Sequence, residues 1–561
     1  MLGLITWFGL FLVVVIYGAP IGLLLTRDLR PATIRIAMWS GLLLLVTLST
    51  FSNLFIPLKS AAAIVMVLAV AVFALILSVV LVRRRSGRVV PKFFDWNSLP
   101  KTGWFLVAVL VVVSIWWLVA STRAPTNYDS GLYHLASIWY AADFSTIPGL
   151  ANLYASNGFA NALMPLTAIT TNGPMGLDAY RVINGFFFLL LFLEIVLRLT
   201  SSRRNAVGTK ILLIGLGVFV APMIWMSDYW VTSPTFDTPV AIFTLVSVAA
   251  LADAVTLGRM RNVDVIGVLI PIALAASIRQ HYWFLFAFFA VIILWVALRQ
   301  KVKGTLWAFW LSLSASSVLL AVMIARDYVL SGWVLYPYKI FSFNVDWVAP
   351  DPAGLIDSTK LWARSPTPAY QQMGDSWAWV RPWLGANLVT WVFLAILGCL
   401  IFAVVAFFLT RKFWRPRALA VVMTPLVLYL LTWFFVGAPH VRYSWAPLLL
   451  MGALPLAWAW QAIEVQRGMR FRLMNVAQVL VGLELIAVVV VSAIVALPRL
   501  STELPVIAVE RVPLNATVDL LVPQGTDQCW NNFPSCSGMP AAGLTLRGDT
   551  IAEGFKRVPT G

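Results

Sequence analysis

The sequence predicts an all-α polytopic integral membrane protein, a bundle of about 12–14 transmembrane helices with large extracytoplasmic loops. Three observations predict it. Hydrophobic residues make up 61% of the chain and charged residues 11%, whereas soluble domains are roughly half apolar and about a quarter charged. The apolar residues lie in runs of about 20, the length that crosses a bilayer core as a helix. Between those runs the basic residues form short clusters.

In chain order the runs are 2–26, 35–56, 61–82, 103–120, 182–199, 210–226, 238–256, 263–278, 281–298, 305–325, 386–409, 418–437, 444–462 and 473–497. The 263–278 run is short enough to be re-entrant rather than spanning. The first run is long enough to span and lacks a basic leader, so no cleavable signal is expected. Placing Met1 outside puts Arg83-Arg84-Arg85, Arg203-Arg204, Arg259/Arg261, Arg299/Lys301/Lys303, Arg411/Lys412/Arg415/Arg417 and Arg467/Arg470/Arg472 all inside. That is the arrangement of the positive-inside rule, and an inverted topology would carry the triple-Arg loop across the membrane. The net charge of +17 is therefore spread over cytoplasmic turns. No basic face is left for nucleic acid.

The topology leaves four extracytoplasmic segments: 121–181, 227–237, 326–385 and 498–561. The first and third are large and rich in Pro, Gly, Asn and aromatic residues, which favours irregular and short-helical structure. The only substantial cytoplasmic loop, 83–102, is too small for a nucleotide-sugar domain. Residues 1–497 thus form a transmembrane unit and 498–561 a small extracytoplasmic tail. Cys399 lies in an apolar run and reads as an inert core residue. Cys529 and Cys536 form a C-x6-C pair in the tail, where an oxidising compartment would close a disulfide.

All three histidines, His134, His281 and His440, fall on the extracytoplasmic side, together with the densest polar motifs. The chemistry is expected to face outward. In NYDSGLYHL, Asp129 precedes a helical pattern and reads either as an N-cap or as a general base. His134, five residues on, would not share a face with Asp129 on a regular helix, so either the turn is irregular or the two groups do different work. Asp237, before Thr238-Pro239, reads as an N-cap or as a second carboxylate that binds a hydroxyl or a metal. Arg279 in SIRQHYW, Lys339 in LYPYK and Arg442 in APHVRY edge apolar runs. They read as cations reaching for lipid headgroups or as phosphate-binding groups. Arg442 shares a tight turn with His440, which restrains both. The 326–385 loop holds Trp333, Trp347, Trp362, Trp377, Trp379 and Trp383, either an interfacial belt or platforms for sugar rings. Glu194 and Glu484 lie in mid-helix and are assigned no role. Walker, dinucleotide, HExxH and GxSxG motifs are absent.

The segment NYDSGLYHLASIW…IPGLANL resembles a family of bacterial integral-membrane proteins grouped by architecture with the GT-C glycosyltransferases. SPTFDTP at 233–239, LSGWVLYP at 330–337, NVDWVAP at 344–350 and APHVRY at 438–443 support the likeness. So do QCWNNFPSC and LRGDTIAEGF in the tail. The resemblance implies a GT-C-like bundle with Asp129 as the acid near the start of a long first outer loop. It further implies transfer of a sugar from a polyprenyl-phosphate donor to a glycan, lipid or protein acceptor. The setting would be the extracytoplasmic side of a bacterial cytoplasmic membrane, among membrane lipids. Many GT-C enzymes carry two adjacent acids there, whereas Ser130 follows Asp129 in this chain. That departure weighs against a metal-dependent version, makes Asp237 the candidate second acid, and leaves a divalent cation open as the one cofactor to consider. A transporter or flippase, and a polymerase or ligase of lipid-linked glycans, are the competing expectations.

Overall fold

The structure, a computed structural model, describes residues 1–26, 31–84, 99–201, 203–258, 260–300, 303–364, 377–468 and 470–558. Arg85, Arg259, Lys301 and most of the 83–102 loop lie outside the described residues, as do the side chains of Lys303, Arg470 and Arg472. The protein is helical almost throughout, and among the described residues 13 helices are long and apolar enough to cross a membrane. At a rise of about 1.5 Å per residue, about 20 residues match the hydrocarbon thickness.

The shorter helix Asn262–Ile278 also runs the full depth of the bundle. The Asn262 side chain donates to the Leu25 carbonyl at 3.1 Å at one end, and the Ile278 carbonyl accepts from Asn161 at 3.1 Å at the other. It is a traverse, not a re-entrant segment. Its neighbours define two ends. Contacts from Arg415 to the Thr256 carbonyl and from Arg204 to Asn475 gather the basic turns at one. The other collects the first loop, the loop after Ser331 and the tail, and is called the loop end below.

The centre of the bundle is set by which helices can bury every face. Gly176–Leu199 has 89% of its apolar window buried and Asp237–Leu257 has 83%, against 6% for Ala61–Arg84. The last is apolar all round yet uncovered, as a lipid-facing helix is. Helices Leu2–Leu25 and Pro31–Asn53 touch backbone to backbone, since a Cβ on Gly18 would lie 1.9 Å from the Ala37 carbonyl oxygen and one on Gly41 1.7 Å from that of Val14. Small residues at such crossings let transmembrane helices approach closely.

Most buried charges at the basic end are paired. At the basic end Arg35, Glu194, Arg198, Asp253, Arg203 and Asp264 form one alternating chain with contacts of 2.5 to 2.9 Å. Every member is buried. Glu194, left without a role by the sequence, is the carboxylate held between Arg35 and Arg198. Three guanidinium groups against three carboxylates leave this chain neutral, the condition under which burial of charge is tolerable.

At the loop end, the first loop forms helix Leu135–Asp143 and shorter turns, and the later loop forms helix Ala353–Arg364. The tail consists of two antiparallel hairpins, Val509–Pro513 with Asp519–Pro523 and Leu544–Leu546 with Phe555–Arg557. A Cys529–Cys536 disulfide closes the segment between them. The tail is not merely appended. Its backbone N–H groups bond the first loop at Gly131 and Pro148, and the Ser535 N–H donates to the Tyr140 hydroxyl at 3.0 Å.

Candidate functional site

Asp129 opens a single π-helical turn, Ser130–His134, where hydrogen bonds skip five residues instead of four. The irregular turn anticipated from the Asp129–His134 spacing is present. Its cap is unusual. The Asn127 side chain, not Asp129, accepts the local backbone bond, taking the Asp129 N–H at 3.0 Å. The Asp129 carboxylate caps nothing and is free to point across the loop end.

It meets Arg442, whose Nη2 lies 2.9 Å away. The Nε of the same guanidinium lies 3.9 Å from Asp237, and the other Asp237 oxygen lies 2.5 Å from Arg279 Nη2. Asp237 is the first residue of helix Asp237–Leu257, where an acid complements the positive helix end, but its side chain makes no cap bond. The N-cap readings of both acids are thus corrected: both carboxylates are committed to arginines. The headgroup readings of Arg279 and Arg442 are corrected by the same contacts. Four segments distant in sequence contribute two carboxylates and two guanidinium groups to one cluster of balanced charge. Asp237 is buried, and the other three members are only 13 to 19% exposed.

Aromatic rings wall this cluster. Arg279 lies over the Tyr443 ring at 4.3 Å and near Phe236 at 5.7 Å. Arg442 lies 5.4 Å from both Trp362 and Tyr443. Cations held over ring faces gain further stabilisation where water is scarce. Burial opposes ionisation of Asp129, but the Arg442 charge overrides it and holds the carboxyl below its usual value.

The three histidines divide. His134 is buried beside Tyr133 and Phe236, its Nδ1 lacks a hydrogen-bond partner, and burial pushes it down to about 3. It stands as a neutral imidazole close behind Asp129. His440 lies flat on Trp362, ring centres 4.5 Å apart, and accepts the Arg442 N–H through Nδ1 at 3.4 Å. Its ring is pushed down to about 3, again chiefly by burial. His281 Nε2 contacts the Tyr443 carbonyl at 3.3 Å, so it supports the turn carrying Arg442 and does not touch the four charges. Lys339 stands apart. It pairs with Asp351 on an exposed part of the later loop, and none of its contacts reaches the cluster.

The geometry brings together Asp129, His134, Asp237, Arg279, His440 and Arg442, sets His281 behind them, and leaves Lys339 out. The sequence reading missed Tyr443, Phe236 and Tyr133, which line the cluster. The signal for Tyr443 was its place directly after Arg442 in a short turn between two apolar runs. Of the six tryptophans of the later loop, Trp362 alone reaches an arginine of the site. A cavity of about 310 Å³ opens nearby between the first loop and the end of helix Arg470–Val495. Tyr229 lines it and lies within electrostatic reach of Arg442, Asp129 and Asp237. For a divalent cation the donor set fits poorly. Each candidate carboxylate already faces a guanidinium, and among the described residues no group of three or more His, Cys, Asp or Glu side chains could hold a metal.

Comparison with known proteins adds one finding. No curated protein and no solved structure matches the chain. The profile of a family described as a domain of unknown function, DUF8201, matches residues 1–449. That span includes all four charges of the cluster and stops before the tail. The chain belongs to the DUF8201 family.

Proposed function

We propose that this protein is a membrane glycosyltransferase. It moves a sugar from a polyprenyl-phosphate carrier to a hydroxyl of an envelope glycan, lipid or protein on the outer face of the bacterial cytoplasmic membrane. The observation that carries the reading is the 2.9 Å contact between Asp129 and Arg442 inside a neutral cluster that also holds Asp237 and Arg279. Asp129 is the base. It takes the proton of the acceptor hydroxyl as that oxygen bonds to the anomeric carbon. The bond from that carbon to the carrier phosphate breaks with its electron pair, and the phosphate leaves as an anion. Arg442 and Arg279 receive that charge, with Asp237 holding both guanidinium groups in place.

Before substrate arrives Arg442 occupies Asp129. A phosphate offers the guanidinium a better partner and so releases the carboxylate for its proton-accepting role. The basic turns gathered at the opposite end support an outward-facing site. Nucleotide sugars are not available outside the cytoplasm, which calls for a lipid-linked donor delivered through the bilayer. A second reading, a polymerase or ligase of lipid-linked glycans, is favoured by Trp362. That side chain brings the later loop directly onto His440 and Arg442.

The test is made in a deletion strain complemented with the wild-type gene or with Asp129→Asn. Loss of one sugar from an envelope glycan in both the deletion and the variant, with the variant protein present in the membrane, is the expected result. Shortened glycan chains of unchanged composition would favour the polymerase. Unaltered glycans in the deletion strain would overturn both readings.

A further inference from the structure

Arg326 sits on helix Lys303–Ser331 one turn before its loop end, 6% exposed, and forms no ion pair among the described residues. Its Nη1 donates to Asn53 Oδ1 and Thr146 Oγ1, both at 2.6 Å, and both acceptors are neutral. The opposite edge is bare: Nε has no hydrogen-bond partner. The neighbouring acid does not answer it. Asp327 accepts the Ala160 N–H at 3.0 Å and the Gln280 amide at 2.8 Å. Arg326 lines a small cavity with Asn53, Ser137, Ser145 and Asn157. There is room in it for little more than a water molecule.

We propose that this cavity binds a small monovalent anion of halide size, held by the Nε and Nη2 edge of Arg326. Removing a guanidinium from water costs several kcal/mol per ion unless a negative charge meets it. Among the described residues every other buried arginine of the bundle and of the four-charge cluster has that partner in a carboxylate, and Arg326 does not. The polar groups around it are uncharged and add no anion of their own; Asn53, Thr146 and Ser137 spend their donors on neighbouring oxygens, which leaves the guanidinium edge to hold the anion. The cavity is too tight for a phosphate ester or a sugar. Through Asn53 and Thr146, Arg326 joins the end of helix Pro31–Asn53 to the first loop, so a bound anion would brace the scaffold behind the cluster. This inference stands independently of the transferase reading.

The test uses the purified full-length protein in detergent at constant ionic strength, with chloride, bromide or gluconate as the anion. The thermal midpoint is expected to rise saturably with chloride and bromide, to stay flat in gluconate, and to lose its chloride response in Arg326→Gln. A wild-type midpoint indifferent to the anion, or an equal chloride response in Arg326→Gln, would overturn the proposal. If that variant does not fold, a structure determined in bromide decides. A bromide peak within hydrogen-bond distance of Arg326 Nε supports the site, and density for water only rejects it.

Discussion

Arg442 ties Asp129 to Asp237: its guanidinium lies 2.9 Å from the first carboxylate and 3.9 Å from the second. One residue in a short turn thus joins the start of the first loop to the start of a central helix. Its two anionic partners make Arg442 the residue whose loss is felt most. Arg442→Gln leaves Asp129 without a partner and Asp237 with only Arg279, and should cost about 3 kcal/mol, as breaking partly buried pairs does. Asp129→Asn removes a charge while Arg442 keeps Asp237, so it should cost less. The double variant should recover part of the loss. Thermal unfolding of the four proteins closes a double-mutant cycle, and a coupling near zero would mean the contact is not formed in the folded protein.

Activity separates from stability at the same pair. As a general base Asp129 would contribute roughly 10²–10⁴ in rate, so Asp129→Ala should abolish measurable transfer while the protein still reaches the membrane. Arg442→Lys keeps the charge but not the planar fork, and should also fall well below wild type. Quantifying the transferred sugar in complemented membranes, normalised to protein level, reads both. Full transfer by Asp129→Ala would remove Asp129 from the chemistry.

Much of this was legible in the sequence, for physical reasons that also mark where it stopped. Composition and run length alone determine that a segment seeks a bilayer, which is why 210–226 and the observed Val207–Trp225 nearly coincide. The predicted 386–409 span begins instead at Trp391, because the short helix Val380–Asn387 ends before it and Thr390 is extended. Asp129, Asp237, Arg279 and Arg442 each carried a signal of their own. Their pairing did not, since it arises from four segments meeting in space. The capping readings of the two acids failed because Asn127 took the backbone bond at one and the arginines outcompeted the helix end at the other. The tail lacked long periodic runs, and nothing in it announced that it would dock on Gly131.

That docking yields a steric prediction. The Gly131 carbonyl accepts the Cys529 and Trp530 N–H groups, and Tyr128 pairs with Asp527. A Cβ on Gly131 would lie 2.3 Å from the Trp530 indole. Gly131→Ala should therefore lift the tail from the Asp129 turn, with faster proteolysis between residues 498 and 558. Trp530→Ala in the same chain should restore close packing of that turn. Unchanged proteolysis in Gly131→Ala would show that the tail does not rest there.

Buried neutral histidine makes stability fall in acid. His134 is pushed down to about 3 by burial, below the ordinary value of about 6.5 that it regains on unfolding. Between those two values the unfolded chain binds a proton that the folded chain refuses. Stability is thus intact above about pH 6.5 and declines as pH falls toward 3, by up to about 1.4 kcal/mol per pH unit from this group. His134→Leu should flatten that slope in thermal scans from pH 7 to pH 4.5. An identical slope in the variant would mean His134 titrates normally.

The ion chain at the basic end makes the opposite kind of prediction, one about scaffold without chemistry. Glu194 accepts from both Arg35 and Arg198, and no member of the chain is more than 4% exposed. Glu194→Gln leaves the buried Arg35 guanidinium facing a neutral amide, while Arg198 keeps Asp253 at 2.6 Å, and the expected loss is about 3–5 kcal/mol. Arg35→Met in the same protein removes that stranded charge and should recover part of the loss, since an apolar side chain of similar length fills the space without needing a partner. Because the chain lies at the end of the bundle away from Asp129, the surviving folded fraction should keep its full activity per molecule. Specific activity measured against the folded fraction, rather than total protein, separates the two effects. A fall in that ratio for Glu194→Gln would show that the ion chain is coupled to the site across the bundle.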